Sequence, residues 1–174
     1  MAATWDDEKP WKIDLARRSA QRREQILRQV EELIKGAPSF EEALAQTVEH
    51  LKKKFARFSA VTAYVADGED LVVHTSIERP TGPERVWSGG GPLAEAAQGH
   101  KSTIVPDLSG TEAWNNVGLS HGSAIVAPVR TDAGLWATIE IWSELRDAFS
   151  LQDSRFLEKV AQALGRKTPA VTAD

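Results

Sequence analysis

Glu140 has the strongest claim to chemistry in this chain. It stands in the segment LWATIEIWS, Leu135 to Ser143, between Trp136 and Trp142. In a β-strand, successive side chains point to opposite faces. Trp136, Thr138, Glu140 and Trp142 are therefore expected on one face, and Leu135, Ala137, Ile139 and Ile141 on the other. The second set is plain core. The first is a carboxylate among indoles, which is costly to bury without a partner. Such a face suits a ligand that is cationic or donates hydrogen bonds, with the indoles suited to a cation or a flat ring. The alternative is a partly wet face on which Glu140 pairs with a nearby cation such as Arg85.

The preceding segment, SAIVAPVRT, reads as the other strand of a hairpin that turns at Thr131-Asp132-Ala133-Gly134. A turn centred on Asp132-Ala133 places Glu140 opposite Ile125 and Trp142 opposite Ser123. Tyr64, on an earlier strand, shares the face in one register. Trp114 lies in a polar connection, and Trp87 stands just before a run of glycines. Loops over a sheet face commonly carry binding residues, but each indole could equally be a plug packed on the sheet. Asp107 follows Pro106 and fits a loop cap.

Other chemistries find little support. The chain of 174 residues contains no cysteine, which removes thiolate nucleophiles, disulfides and Cys-ligated metals. The histidines, His50, His74, His100 and His121, show no metal-binding helix spacing, although His74 and His121 could face a pocket. Ser120, His121 and Ser123 are too close in sequence to converge as nucleophile and base. Gly89, Gly91 and Ala94 spell a dinucleotide fingerprint, but a dinucleotide fold needs a parallel βαβ unit and the neighbouring elements here are hairpins. The net charge of -4 gives no electrostatic case for nucleic acid. No apolar run approaches membrane-spanning length and no signal core opens the chain, so a cytoplasmic location without a membrane partner is expected.

The elements that must position Glu140 are legible from periodicity. Residues 1–11 read as a loose polar tail. Residues 12–35 read as a charged helix with Ile13, Ala20, Leu27 and Ile34 at heptad spacing and Ala16 and Val30 between them, a seam that Arg23 interrupts. Gly36 and Pro38 end it. Ser39 caps a second helix with an apolar stripe of Phe40, Leu44, Val48, Leu51 and Phe55. Ser59–Ala66 and Asp70–Ser76 read as strands joined by Asp67-Gly68. Short strands at Arg85–Trp87 and Ser102–Val105 flank a short helix, Leu93–Gln98. A last helix runs from near Ser150 to about Leu164, and residues 168–174 read as a disordered tail.

This order resembles a GAF domain. The resemblance is carried by GGGPLAEAAQG, STIVPDL, SAIVAPV with GLWATIEIWS, and FSLQDSRFLEKVAQAL. It implies an α+β fold with a central antiparallel sheet of about six strands, N- and C-terminal helices on one face, and a cap of loops and a short helix on the other. The implied organisation is a tail and amphipathic dimerisation or signalling helix over 1–35 and the domain over 36–167. Within the family the chain looks most like the free methionine-R-sulfoxide reductases. At positions matching those enzymes' cysteines it carries Leu93, Val117 and Pro83, and of their acidic grip, falling on Ala124, Glu140 and Trp142, only Glu140 is an acid. Phe149 and Asp153 echo part of the cyclic-nucleotide-binding pattern, yet read as ordinary helix entry.

The expectation is a non-catalytic, homodimeric small-molecule sensor, with no cofactor specified and the ligand unnamed. Its ligand lies between the sheet and the 106–122 loop, lined by Tyr64, Trp87, Leu93, Asp107, Trp114, Ser123, Ile125, Glu140 and Trp142. The alternatives are a reductase-like enzyme that has lost its thiol chemistry and a purely structural dimerisation domain.

Overall fold

The computed structural model describes residues 10–79, 83–87, 95, 96, 98–109 and 119–167, with the side chain of Trp87 outside this set. Expectations for the tails 1–9 and 168–174, the glycines 89–91, Leu93, Trp114 and Val117 fall outside the described residues.

Three helices cover one face of an antiparallel sheet. They are α1 (Pro10–Gly36), α2 (Phe40–Lys54) and α3 (Leu151–Lys167). The strands are β1 (Ala60–Asp67), β2 (Asp70–Ile77), β3 (Arg85–Trp87), β4 (Thr103–Val105), β5 (Ser123–Thr131) and β6 (Gly134–Ser143). Their order in the sheet is β3-β2-β1-β6-β5-β4. Among the described residues every pairing is antiparallel, which gives the dinucleotide fingerprint no parallel unit there.

Each helix end follows its chemistry. The Ser39 side chain accepts from the Glu42 N–H at 3.1 Å and starts α2. At α3, Ser150 and Asp153 cap each other: Asp153 Oδ2 accepts from the Ser150 N–H at 2.8 Å and Ser150 Oγ from the Asp153 N–H at 3.3 Å. Asp153 is buried and also accepts from Arg23 of α1 (3.1 Å) and from Arg57. One carboxylate thus ties α1, the α2–β1 connection and α3 together.

The helix-side core contains Phe40, Leu44, Val48 and Leu51 from α2, Phe156, Leu157, Val160 and Leu164 from α3, and Val61, Ala63, Ile125, Ala127, Ile139 and Ile141 from the sheet. α1 rests on α2 and α3 through Ile26, Val30 and Ile34. This corrects the predicted seam. The buried residues repeat every four, Leu27 is half-buried, and Ile13 is 43% exposed. The segment 10–22 is exposed on all sides. The residue that breaks the heptad, Arg23, is the one that pairs with Asp153.

The β5–β6 hairpin holds a second correction. At its tip Thr131 faces Gly134 and Arg130 faces Leu135, in the predicted register. Val129 then faces Ala137, so Trp136 is an extra residue with no partner opposite. This β-bulge shifts all pairings beyond it by one. Trp136 packs on the helix-side core, its ring edge-on to Phe40 at 5.6 Å, and Leu135 turns to the opposite face. The predicted pair of tryptophans on one face is therefore reduced to Trp142. Glu140 faces Val126 rather than Ile125, and Trp142 faces Ala124 rather than Ser123.

The second face of the sheet, away from the helices, carries its own apolar cluster. Ala60, Tyr64, Leu71, Ala124, Val126 and Trp142 come from strands, and Ala96, Leu108 and Leu119 from the connecting segments. Gly122 sets the entry to β5. Its φ is +82°, and an added Cβ would lie 2.0 Å from the Ser143 carbonyl oxygen, so only glycine fits.

Candidate functional site on the cap face of the sheet

Glu140 lies mid-strand in β6, between Thr62 of β1 and Val126 of β5. It is 2% exposed. Its Oε1 accepts a long, 3.5 Å hydrogen bond from the Tyr64 O–H, and its Oε2 has no hydrogen-bond partner among the described residues. Burial pushes the carboxyl up to about 7, opposed by the positive charge of Arg79 and by the Tyr64 hydrogen bond. The Tyr64 hydroxyl is itself pushed well above its ordinary range, by burial first and then by the Glu140 charge. The Arg79 guanidinium lies over the Tyr64 ring, 5.7 Å from its centroid, and its Nη2 donates to the Pro83 carbonyl at 2.9 Å.

Thr138 precedes Glu140 by two residues on the same face and is fully buried. Its Oγ1 also has no partner among the described residues. The neighbouring Thr62 hydroxyl is satisfied by Ser76 Oγ at 2.9 Å. Two buried oxygens on one face of β6 thus have no partner among the described residues; the Trp136 indole N–H, turned to the helix side by the bulge, has none either. Buried polar atoms normally find partners, so such a pair marks a place for a hydrogen-bonding guest.

The structure sorts the sequence candidates. Tyr64, Glu140 and Trp142 do share the cap face. The Trp142 indole N–H donates to the His121 carbonyl at 2.8 Å, with the His121 ring edge-on at 5.2 Å, so it forms a wall rather than a polar contact. Ser123 and Ile125 are corrected, because the bulge turns both to the helix side. Ile125 enters the helix-side core, and Ser123 Oγ donates to the Leu145 carbonyl (2.6 Å) and accepts from the Ala148 N–H (3.1 Å), fastening the segment after β6.

Asp107 is exposed. Its carboxylate accepts from the Ser109 hydroxyl (2.7 Å) and N–H (3.0 Å), which hold it below the usual carboxylate range, and Arg146 lies 3.6 Å away. It is a turn cap. Arg85 pairs with Asp67 (2.8 Å) and Asp70 (2.9 Å), not with Glu140. His74 is the extra residue of a bulge in β2, and its ring meets the Glu41 carbonyl of α2 at 3.1 Å, on the helix side. Trp87 pairs through its backbone with Asp70. Leu93 and Trp114 lie outside the described residues. Among the described residues no group of three His, Asp or Glu side chains is placed to hold a metal.

Sequence reasoning placed Thr138 on the Glu140 face but left it out of the site, and it passed over Arg79. Thr138 was visible as the i−2 neighbour of Glu140, but nothing in sequence distinguishes an unpaired threonine from a satisfied one. Arg79 sits in an irregular connection where no periodicity predicts its direction.

Comparison with known proteins then fixes the family, since residues 39–167 match the GAF domain. The chain belongs to the GAF family. A curated relative, GAF domain-containing protein A of Dictyostelium discoideum, is 26% identical over 141 residues, covering 81% of this chain and 89% of that protein. The fold is similar to that of the free methionine-R-sulfoxide reductase of Neisseria meningitidis, solved with its substrate (TM-score 0.76, 24% identity, 86% and 89% coverage). It is also similar to the GAF domain of a phosphoenolpyruvate-protein phosphotransferase of Coxiella burnetii (TM-score 0.72, 19% identity, 85% and 93% coverage). GAF domains are in general small-molecule-binding and sensing modules, and in this one Glu140 Oε2 and Thr138 Oγ1, both without a partner among the described residues, lie on the sheet face opposite the helices. No helix among the described residues is long and apolar enough to cross a membrane.

Proposed function

We propose that this GAF domain is a non-catalytic sensor that binds a small molecule on the cap face of its sheet and works as a homodimer. The observation that carries the reading is Glu140: a buried carboxyl with one long hydrogen bond and one oxygen that has no partner among the described residues. A guest that donates to Oε2 removes a penalty that folding leaves in place. Trp142 and Tyr64 supply an apolar wall, and Arg79 supplies the balancing charge. The chain lacks the cysteine that thiol-based sulfoxide reduction requires, which supports binding without turnover. The exposed segment 10–22 of α1, with Trp11, Ile13 and Leu15 uncovered, offers the second copy its surface.

The test is native mass spectrometry of the protein as it comes from cells, followed by tryptophan fluorescence titration against a broad metabolite panel. The reading expects a dimer carrying, or accepting, a small molecule in a manner that Glu140→Gln alters. A monomer whose fluorescence ignores the whole panel overturns it. In an NADPH–thioredoxin assay with free methionine sulfoxide no turnover is expected, and measurable turnover would refute the non-catalytic assignment.

A further inference from the structure

The two unpaired oxygens differ in kind, and that difference narrows the ligand. Glu140 Oε2 is a carboxyl oxygen; Thr138 Oγ1 is a hydroxyl that can donate as well as accept. Both residues are in the regular part of β6, where positions two apart lie about 7 Å from each other on one face. Two hydrogen bonds of about 2.9 Å with a small planar group between them bridge such a gap.

Charge decides what that group is. Arg79 already faces Tyr64, and the Tyr64 hydroxyl reaches Glu140. The Arg79–Glu140 pair is neutral when the carboxyl is ionised. A ligand ammonium placed on Glu140 would add a second cation beside the half-buried Arg79, and a ligand carboxylate would add a second anion beside the ionised Glu140. Both arrangements leave an uncompensated buried charge. A purely apolar ligand leaves both oxygens unpaired.

Resting on the reading that this face holds the ligand, we propose that the ligand meets Thr138 and Glu140 with a neutral carboxamide-type edge. Its N–H donates to Glu140 Oε2, and its carbonyl accepts from the Thr138 hydroxyl. Thr138 is then a specificity-determining residue, and primary amides, lactams and ureido compounds are the ligand class. The apolar neighbours Tyr64, Leu71, Val126 and Trp142 take the remainder of the molecule.

The experiment uses three probes that share one ring and differ only at the polar end: benzamide, benzylamine and benzoate. Each is titrated against the full chain by ligand-observed NMR and by tryptophan fluorescence at about pH 8, where the Glu140 carboxyl is ionised. Benzamide is expected to saturate with a Kd in about the millimolar range, where so few atoms place it, and the other two to bind at least about tenfold more weakly. Thr138→Val removes the hydroxyl at nearly constant volume, and Glu140→Met removes the carboxyl. Each is expected to weaken benzamide about five- to tenfold, the cost of one ligand hydrogen bond, with the thermal midpoint of Thr138→Val no lower than the parent's because the lost hydroxyl has no partner among the described residues. Benzylamine binding more tightly than benzamide overturns the neutral edge and leaves the ligand-binding reading standing. So does a panel metabolite that binds through Glu140 while all three probes fail. Benzamide binding that Thr138→Val does not change removes Thr138 from the site.

Discussion

Glu140→Gln should change how stability depends on pH. The carboxyl rises from 4.5 to about 7 in the folded protein, chiefly through burial. In the unfolded chain it keeps its ordinary value. Between these values the native state binds the proton more tightly, so the protonated carboxyl contributes stability that is fully present below about pH 4.5 and lost as pH rises through about 7. At about 1.4 kcal/mol per pH unit, the loss is about 3 kcal/mol, an order-of-magnitude figure for a fully buried group. Glutamine has the same shape and does not titrate. The other ionisable groups, including His50, whose burial and lysine neighbours lower its value, are common to both proteins and cancel in the difference. Urea unfolding of ligand-free parent and variant at pH 5 and pH 8 should therefore show the parent losing about 3 kcal/mol more than the variant. In thermal scans that is about 6–12 °C. Parallel stability profiles would show that the carboxyl is solvated in the native state, and the site built on it would fall.

Three further outcomes follow from the packing. Gly122→Ala should destabilise by about 3 kcal/mol or more by chemical denaturation, since its Cβ meets a backbone oxygen at 2.0 Å in a left-handed conformation. Asp153→Ala should cost about 3 kcal/mol, because it removes a helix cap and leaves Arg23 and Arg57 without their shared acceptor; hydrogen exchange should show α1 loosened before the sheet. Asp107→Ala should leave the denaturation midpoint and ligand affinity essentially unchanged, because its carboxylate serves an exposed turn.

The fold was largely legible because its elements announce themselves by period. The α2 stripe, the Asp67-Gly68 turn and the alternation in β6 each have one physical reading. What escaped was the bulge at Trp136. A single extra residue has no compositional signature, yet it moved Ser123 and Ile125 to the wrong face and Trp136 into the helix-side core. Glu140 and Tyr64 were found because β1 and β6 pair without interruption between Ala60 and Val65. The α1 seam misled because a helix laid across two others buries every fourth residue, whereas a coiled coil buries alternate third and fourth ones. Asp107 was a candidate only through its loop position, and its partners Ser109 and Arg146 explain it fully.

The most direct measurement is the electron density at Glu140 in crystals of the protein as isolated from cells, grown near pH 8. The account predicts a bound small molecule within hydrogen-bonding distance of Oε2, enclosed by Tyr64 and Trp142. A Glu140 side chain reaching open solvent, or turned toward the helices, would contradict it.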